Sequence, residues 1–339
     1  MNTLANTLST QVCPTELRYE PRVICGFRPV RELHLGFHFG VLQHMIVEQN
    51  RRPGSNFCLI ADWHATTAWS SGPNMQRATL TTAAALLALG IDPHKTVLFA
   101  QSHVTGLGEM AWLLSCMTPE SLLLRNAALR NSPVNQHNIG AILYPVLMAA
   151  DILSLRGTKI IVNRDQIMNV RKIRQIARAA NRFLDCPLFA VPNFAVRGDT
   201  VPGIDGTQME AERENHIPLF LGFRDLMDRV QQIQPGRNGS NPGDPEQCTV
   251  FKLYSMTAPP ARVQELKARY LSRSITHDDA KRELAFAIAE RYALPLQKFE
   301  EWMQHLDDIR DILRKGAQVA SNEVNGTIAL LREKLGLAL

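Results

Sequence analysis

A single carboxylate interrupts the apolar stretch at residues 144–153, which reads YPVLMAADIL. The spacing of the apolar residues predicts a helix with a buried face, and Asp151 falls on that face. Because a buried carboxylate without a partner is costly, Asp151 needs a hydrogen-bond donor or a cation beside it. That partner is either structural, such as a helix N-terminus or an arginine, or a donor group on a bound ligand.

Three histidines lie near the ends of predicted strands and are the candidate catalytic residues. His34 and His38 are spaced i, i+4, and His64 follows the second predicted strand. Imidazoles act as acids and bases near neutral pH, and three together also suit a metal ion or a haem. Two interpretations stay open: each histidine is an ordinary structural group, or His34, His38 and His64 meet at one site.

The segment before His34 has the order of a phosphate-binding turn. A buried strand at residues 22–26 ends in Gly26, and a helix begins close to His34. Helix N-termini favour anions because their N–H groups and dipole point outward.

An arginine stripe lies on the predicted helix at residues 165–184, opposite an apolar stripe. Its members are Arg171, Arg174, Arg178 and Arg182. The period predicts a surface helix. The stripe is either a solvated face or a contact for phosphates or an acidic partner.

Strands and helices alternate over the first 185 or so residues. Buried strands are predicted at residues 22–26, 56–62, 96–100 and 159–162, with helices between them. This order predicts an α/β fold with a doubly wound parallel sheet, whose ligands bind at the carboxyl ends of the strands. After a polar linker region the pattern is helical, with a break between 293 and 296. The predicted organisation is a loose tail at 1–20, a Rossmann-like domain at 21–205, a loop and linker at 206–245 and an all-α domain at 246–339.

Composition places few limits on function. The chain has 339 residues, a formal charge of +5 and 45% hydrophobic residues, which permits a nucleic-acid partner without requiring one. Its apolar runs are shorter than the ~20 residues of a membrane span, and no secretory signal is evident. The six scattered cysteines form no C-x-x-C pair, so we expect reduced thiols in the cytoplasm and no thiolate zinc site.

Residues 144–153 resemble the tryptophan-specificity helix of tryptophanyl-tRNA synthetases, and the likeness extends from about residue 22 to the C-terminus. The resemblance implies that Asp151 accepts the indole N–H and that Met148 packs on the ring. It also implies that Tyr144, Gln166 and Gly26 contact the amino acid. At position 28, where the family has a glutamine, this chain has Arg28, which could hold a carboxylate or a phosphate. The implied tryptophan site is therefore Asp151, Met148, Tyr144, Gln166, Gly26 and Arg28.

The nucleotide motifs of that family are altered here. The H-I-G-H motif corresponds to His34, Leu35, Gly36 and Phe37, so its second imidazole is replaced by a side chain without a donor. His38 comes one residue later, which on a helix points about 100° away.

The K-M-S-K-S loop of the family corresponds to a segment without lysine. It runs from Thr207 to Asn215 and contains Gln208, Met209, Glu210, Glu212 and Glu214. These acids would repel a triphosphate instead of binding it, and like charges ~4 Å apart cost about 1–4 kcal/mol.

The G-E-D-Q turn of the family reads Asn163, Arg164, Asp165 and Gln166 here, so a side chain replaces the bare glycine beside the ribose. The resemblance thus implies a degenerate nucleotide site at His34, Gly36, Phe37, Asn163, Asp165, Gln208, Met209, Glu210 and Glu212.

Together these motifs favour a synthetase-like protein that binds L-tryptophan or a close indole amino acid but adenylates it poorly. Such a protein would be recruited to the biosynthesis of tryptophan-derived metabolites. Three alternatives remain: a working tryptophan–tRNA ligase, a non-catalytic tryptophan sensor, and a histidine-ligated metal or haem enzyme acting on tryptophan. ATP and Mg²⁺ are expected only if adenylation is retained. The family implies a homodimer, and whether tRNA binds stays open.

Overall fold

The computed structural model describes residues 20–29, 32–68, 75–124, 138–163, 166–196, 200–210, 213–234 and 244–338. Short apolar runs form five parallel strands, which pair side by side in the order β3-β2-β1-β4-β5. The strands are β1 (Val23–Phe27), β2 (Asn56–Ile60), β3 (Thr96–Ala100), β4 (Lys159–Val162) and β5 (Asn193–Val196).

The doubly wound parallel sheet is confirmed, together with the four predicted strands. Strand β1 pairs with β2 on one side, where Gly26 is level with Leu59, and with β4 on the other, where Cys25 is level with Ile161. The chain therefore reverses its winding direction between β1 and β4, which in such sheets is where ligands bind. Strand β5 was not among the predicted strands, because its four residues are too few to show a pattern.

Helices cover both faces of the sheet. In the first half of the chain the helices are α1 (Leu35–Phe37), α2 (Gln43–Arg51), α3 (Asp62–Ala65), α4 (Met75–Ala88), α5 (Gly106–Met117), α6 (Glu120–Leu124), α7 (Ile139–Ser154) and α8 (Ile167–Phe183). In the second half of the chain they are α9 (Phe223–Gln231), α10 (Thr249–Thr257), α11 (Pro260–Leu271), α12 (His277–Gln304) and α13 (Leu306–Lys334). A π turn at His38–Leu42 joins α1 to α2, and a 3₁₀ turn at Gln101–His103 follows β3.

Helix α12 continues through Pro295 and ends at Gln304, so the predicted break between 293 and 296 is wrong. A proline removes one helical hydrogen bond and its ring crowds the carbonyl four residues before it, yet this helix continues on both sides of it.

The last helix, α13, returns to the sheet. A Cβ at Gly316 would overlap the backbone carbonyl of Leu98 in β3, so the two backbones touch at that point. Two ion pairs hold the helix in place: Glu323 accepts from Arg22 at 2.7 Å, and Glu109 accepts from Nε and Nη2 of Arg332 at 2.6 and 2.7 Å. The C-terminal helices thus share their core with the parallel sheet.

Cys25, Cys58, Cys116 and Cys248 are free thiols, whereas Cys186 is disulfide-bonded. The expectation that every cysteine is reduced is therefore wrong at Cys186. In the part of the chain that the structure describes, no helix is both long and apolar enough to cross a membrane.

Candidate functional site

A cavity of about 400 Å³ opens at the carboxyl ends of β1 and β4, beneath α7. It lies where the winding direction of the sheet reverses. The residues of the predicted tryptophan site all line it: Gly26, Arg28, Tyr144, Met148, Asp151 and Gln166. Most residues of the predicted nucleotide site line it too: His34, Phe37, Asn163, Gln208, Met209 and Glu210. One cavity therefore contains two chemically different halves, which we call the Asp151 end and the His34 end.

Helix α7 supplies most of the Asp151 end. Its N-terminus is capped by Asn138, whose side chain accepts from the Ala141 N–H at 2.9 Å. Tyr144, Met148 and Asp151 lie on one face because their spacing follows the helical repeat. Tyr144 also packs edge-on against the ring of His64, with the centroids 4.4 Å apart.

Asp151 is 3% exposed and has a structural partner in Gln101, whose Nε2 lies 2.8 and 2.9 Å from the two carboxylate oxygens. Both the partner expected for a buried carboxylate and the cavity for a ligand are thus present. Burial raises the pKa of Asp151 well above its usual value; the Gln101 hydrogen bond opposes this rise, and the charge of Asp62 adds to it. A ligand that donates to Asp151 would favour the ionised carboxylate.

His64 completes the Asp151 end as a neutral imidazole. Gln101 Nε2 lies 3.0 Å from its Nδ1, and the His64 backbone N–H donates to Gln101 Oε1 at 3.3 Å. Burial lowers the pKa of His64 to about 4. Hydrogen bonds to Gln101 and to the Tyr144 backbone raise this pKa, and the charge of Arg28 lowers it further. At 3.7 Å from Asp151, His64 is therefore a neighbour and not the cationic half of an ion pair.

Gln101 is the functional residue that sequence reasoning missed. It is fully buried and is the first residue after β3. Its position at the carboxyl end of a parallel strand was the available signal, because side chains there meet the ligand crevice.

The His34 end differs because its backbone donors are already used. Four consecutive N–H groups at the start of the helix have protein acceptors. Leu35 N donates to Ile217 O at 3.0 Å, and Gly36 N to Met209 Sδ at 3.2 Å. The N–H groups of residues 37 and 38 both donate to His34 O, at 2.9 and 3.3 Å. No donor of this first turn is thus left for a phosphate.

The loop that carries Met209 and Glu210 is held by Asn215. The Asn215 amide donates to Asp205, Thr207 and the Gln208 carbonyl at 2.9, 3.1 and 2.9 Å, and its Oδ1 accepts from the Glu210 N–H at 2.8 Å. Met209 is buried against the His34 turn, at 4% exposure.

The acidic side chain of Glu210 accepts from Arg213 at 2.7 Å and lines the cavity. The predicted residues Asp165 and Glu212 lie outside the described residues.

Apolar and amide side chains fill the rest of the His34 end. Phe37 packs against Phe27 with ring centroids 4.5 Å apart. The side chain of Asn163 lies against Gly40, where a Cβ would overlap Asn163 Oδ1. The His34 end of the cavity is therefore lined here by an aromatic ring and an amide, neither of which carries a charge.

His34, His38 and His64 do not form a metal site, because His38 does not line the cavity that His34 and His64 share, so the alternative three-histidine metal set is wrong. Within the described ranges, no group of three or more His, Cys, Asp or Glu side chains is placed to hold a metal ion. His38 packs edge-on against Tyr292 of α12, with centroids 5.4 Å apart, and is not among the described residues that line the cavity. Burial lowers its pKa to about 4, with a further contribution from Arg291. His34 instead lies beside His216, with centroids 5.5 Å apart.

Comparison with known proteins identifies relatives along most of the chain. Residues 16–293 match the family of class I tRNA synthetases for tryptophan and tyrosine (W and Y). A tryptophan–tRNA ligase of Rhodopirellula baltica is 32% identical and aligns over 93% of this chain and 99% of its own length. That of Pseudomonas aeruginosa is 31% identical over 93% of this chain and 74% of its own length. The crystal structure of tryptophanyl-tRNA synthetase from Campylobacter jejuni with ADP and tryptophan superimposes with a TM-score of 0.83 at 30% identity, covering 93% of this chain and 100% of that one.

Proposed function

The chain belongs to the tryptophanyl-tRNA synthetase family of class I synthetases, and we propose that it binds L-tryptophan, or a close indole amino acid, without efficient adenylation. In this proposal Asp151 accepts the indole N–H, Met148 packs on the ring, and Tyr144, Gln166 and Gly26 face the amino-acid backbone. The recruitment of such a protein to the synthesis of tryptophan-derived metabolites is part of the proposal.

The observation that carries the proposal is the closed first turn at His34. Adenylation needs donors and cations aimed at the phosphates, because stabilising the charge of the transition state supplies most of the catalysis. Here Met209 Sδ accepts the Gly36 N–H, and Glu210 stands where a cation would be needed. In this proposal the turn offers a triphosphate no free backbone N–H, and position 210 offers it an acid in place of a cation.

The Asp151 end supports the binding half of the proposal. A carboxylate that is 3% exposed and held by one amide retains unused lone pairs. An indole N–H reaching it would form a hydrogen bond to a charged acceptor, which contributes about 1.5–3 kcal/mol. Selection for transition-state residues disappears with the reaction, whereas selection for a ligand site continues as long as the ligand binds.

A working tryptophan–tRNA ligase is the second candidate. Its support is the 30–32% identity to ligases over 93% of the chain, which includes the C-terminal helices. Homodimer formation, tRNA binding and the division of the chain at residues 205 and 245 also remain proposals, and they rest on the same likeness.

Two measurements on the purified full chain test the proposal. Isothermal titration calorimetry with L-tryptophan and with Mg-ATP separately should give binding of the amino acid and little or none of the nucleotide. Tryptophan-dependent exchange of pyrophosphate into ATP should be absent. Robust exchange would overturn the proposal and establish the ligase, whereas binding of ATP without tryptophan would overturn both halves.

A further inference from the structure

The amide that binds Asp151 is fixed by a second buried carboxylate, that of Asp62. Gln101 Nε2 donates to Asp151, and the backbone N–H of the next residue, Ser102, donates to Asp62. We infer that Asp62 is a positioning residue of the tryptophan site: by holding the peptide group between Gln101 and Ser102, it keeps the Gln101 amide on Asp151. This inference rests on the proposed function, because it concerns the same amino-acid site.

Asp62 binds both the backbone and the side chain of Ser102. Its Oδ1 accepts from the Ser102 N–H at 2.9 Å, and its Oδ2 accepts from the Ser102 hydroxyl. The Ser102 N–H belongs to the planar peptide group that joins Gln101 to Ser102. A hydrogen bond to this group therefore restricts the backbone from which the Gln101 side chain extends.

The helix that carries Asp62, α3, also fixes the side chain of Gln101. The backbone N–H of His64 donates to Gln101 Oε1 at 3.3 Å. Because a backbone N–H can only donate, this bond turns Oε1 toward His64 and leaves Nε2 for Asp151. Helix α3 has four residues and the turn after β3 has three, too few for either to be stable alone. The bonds from Asp62 and His64 therefore set how these two short segments lie against each other.

Asp62 is separate from the ligand site itself. It is 8% exposed and is not among the described residues that line the cavity with Asp151, but lines a neighbouring cavity together with Ser102. We therefore expect it to act on the ligand through Gln101 and through its charge.

These two effects on Asp151 differ in sign. Burial raises the pKa of Asp151 most; the Gln101 hydrogen bond lowers this pKa, and the negative charge of Asp62 raises it further. A variant that removes only the charge of Asp62 and a variant that removes only the Gln101 donor should therefore shift Asp151 in opposite directions.

The first test is a double-mutant cycle in the full-length protein. Calorimetry would measure L-tryptophan affinity for the wild type, D62A, Q101M and D62A/Q101M, at a pH where binding by the wild type no longer changes with pH. D308N, on the exposed surface of α13, is the control, and thermal melting would confirm folding. D62A and Q101M should each bind about tenfold more weakly than the wild type, and the double variant should bind like Q101M, because Asp62 acts through Gln101. Additive losses of about 100-fold in the double variant, or wild-type affinity in D62A, would overturn the inference.

The second test needs neither a ligand nor the larger substitution. D62N keeps the shape of the side chain and an oxygen that can accept from the Ser102 N–H, but it removes the charge. Carbon-13 NMR of the ligand-free protein, labelled at its aspartate carboxyl groups, would follow the titration of Asp151, whose signal is identified by its absence in D151N. The pKa of Asp151 should fall in D62N and rise in Q101M, which a loss of stability alone would not produce.

A pKa of Asp151 in D62N that equals or exceeds the wild-type value would contradict the link between the two carboxylates. The other charged or titratable side chains among the described residues that line the cavity are the same in the wild type, D62N and Q101M: Arg28, His34, His64, Tyr144 and Glu210. The comparison therefore reports Asp62 and Gln101.

Failure of the proposed function would look different. If the wild type did not bind tryptophan, the indole site would be refuted, but the NMR titration would still decide whether Asp62 and Gln101 act on Asp151. Pyrophosphate exchange in the wild type would refute impaired adenylation and leave both tests valid.

Discussion

The two ends of the cavity differ in how their hydrogen-bonding groups are used. At the Asp151 end, a buried carboxylate has one protein donor and retains acceptor capacity toward the cavity. At the His34 end, four consecutive N–H groups already have acceptors within the protein. The first arrangement suits a ligand, and the second is complete without one. Within one cavity, one end thus keeps a hydrogen-bond acceptor for a ligand, while the backbone donors at the other end are used within the chain.

The Asp151 end should show the largest effect of a single substitution. Asp151→Asn keeps the shape of the side chain but removes its charge, so tryptophan affinity should fall about 100-fold. Calorimetry would measure the affinity and thermal melting would confirm folding. Asp308→Asn on the exposed surface of α13 is the matched control, and it should bind like the wild type. Equal affinities for the two variants would remove Asp151 from the site.

The same end should make tryptophan binding depend on pH. An indole N–H donates a stronger hydrogen bond to the ionised carboxylate than to the neutral acid, so affinity should be full above the raised pKa of Asp151 and fall as the pH drops through it. His64 stays neutral above its pKa of about 4 and does not contribute to the change at higher pH. Gln101→Met removes a donor, so the midpoint should move to higher pH and affinity at neutral pH should fall about tenfold.

Fluorescence titrations from acidic to neutral pH would follow tryptophan binding by the wild type and by Gln101→Met. Asp151→Asn serves as the control, because its profile should be flat. A pH profile that survives in Asp151→Asn would assign the titration to another group.

The His34 end should respond to charge more weakly. Glu210→Lys replaces an acid with a cation, so Mg-ATP affinity should rise about tenfold while pyrophosphate exchange stays absent. Glu300→Lys on the exposed face of α12 gives the same change of net charge far from the cavity. If the two variants gained ATP affinity equally, the effect would be one of overall charge. If Glu210→Lys restored pyrophosphate exchange, the N–H groups of the His34 turn would have to be available to the nucleotide.

The smallest effect on Mg-ATP affinity is expected for the substitution that returns the second imidazole of the family motif. Phe37→His restores an imidazole, yet Mg-ATP affinity should change less than about twofold, since Met209 still occupies the Gly36 N–H. Phe37→His combined with Met209→Ala should gain more than the sum of the two single variants, because the residues share one turn. Additive effects by calorimetry would show that the sulfur does not close the turn.

Four of the five strands, and the residues that α7 contributes to the Asp151 end, could be predicted from the sequence. Strands β1 to β4 are continuous apolar runs, which a parallel sheet covered on both faces requires. Asp151 was found because a charge in an apolar helix is conspicuous. Gln101 was not, because a glutamine after a strand fits many roles and its partner is 50 residues away.

The sequence also could not predict that the backbone N–H groups of the His34 turn already have acceptors within the protein. Met209 and Gly36 are 173 residues apart, and a thioether sulfur is rarely considered as an acceptor. The motif losses indicated a weakened nucleotide site, but the bond that replaces them depends on three-dimensional packing. Likewise, the direction in which His38 points is set by the π turn and by Tyr292 of a distant helix.

The contact between Gly316 and Leu98 links the far end of the chain to the ligand site. Leu98 stands three residues before Gln101, whose amide holds Asp151. A side chain at position 316 would displace β3 and, with it, Gln101. The position of Asp151 would then change, although residue 316 does not contact it. Helix α13 therefore supports β3 and, through it, Gln101, so removing this helix should disturb the hydrogen bond that Gln101 donates to Asp151.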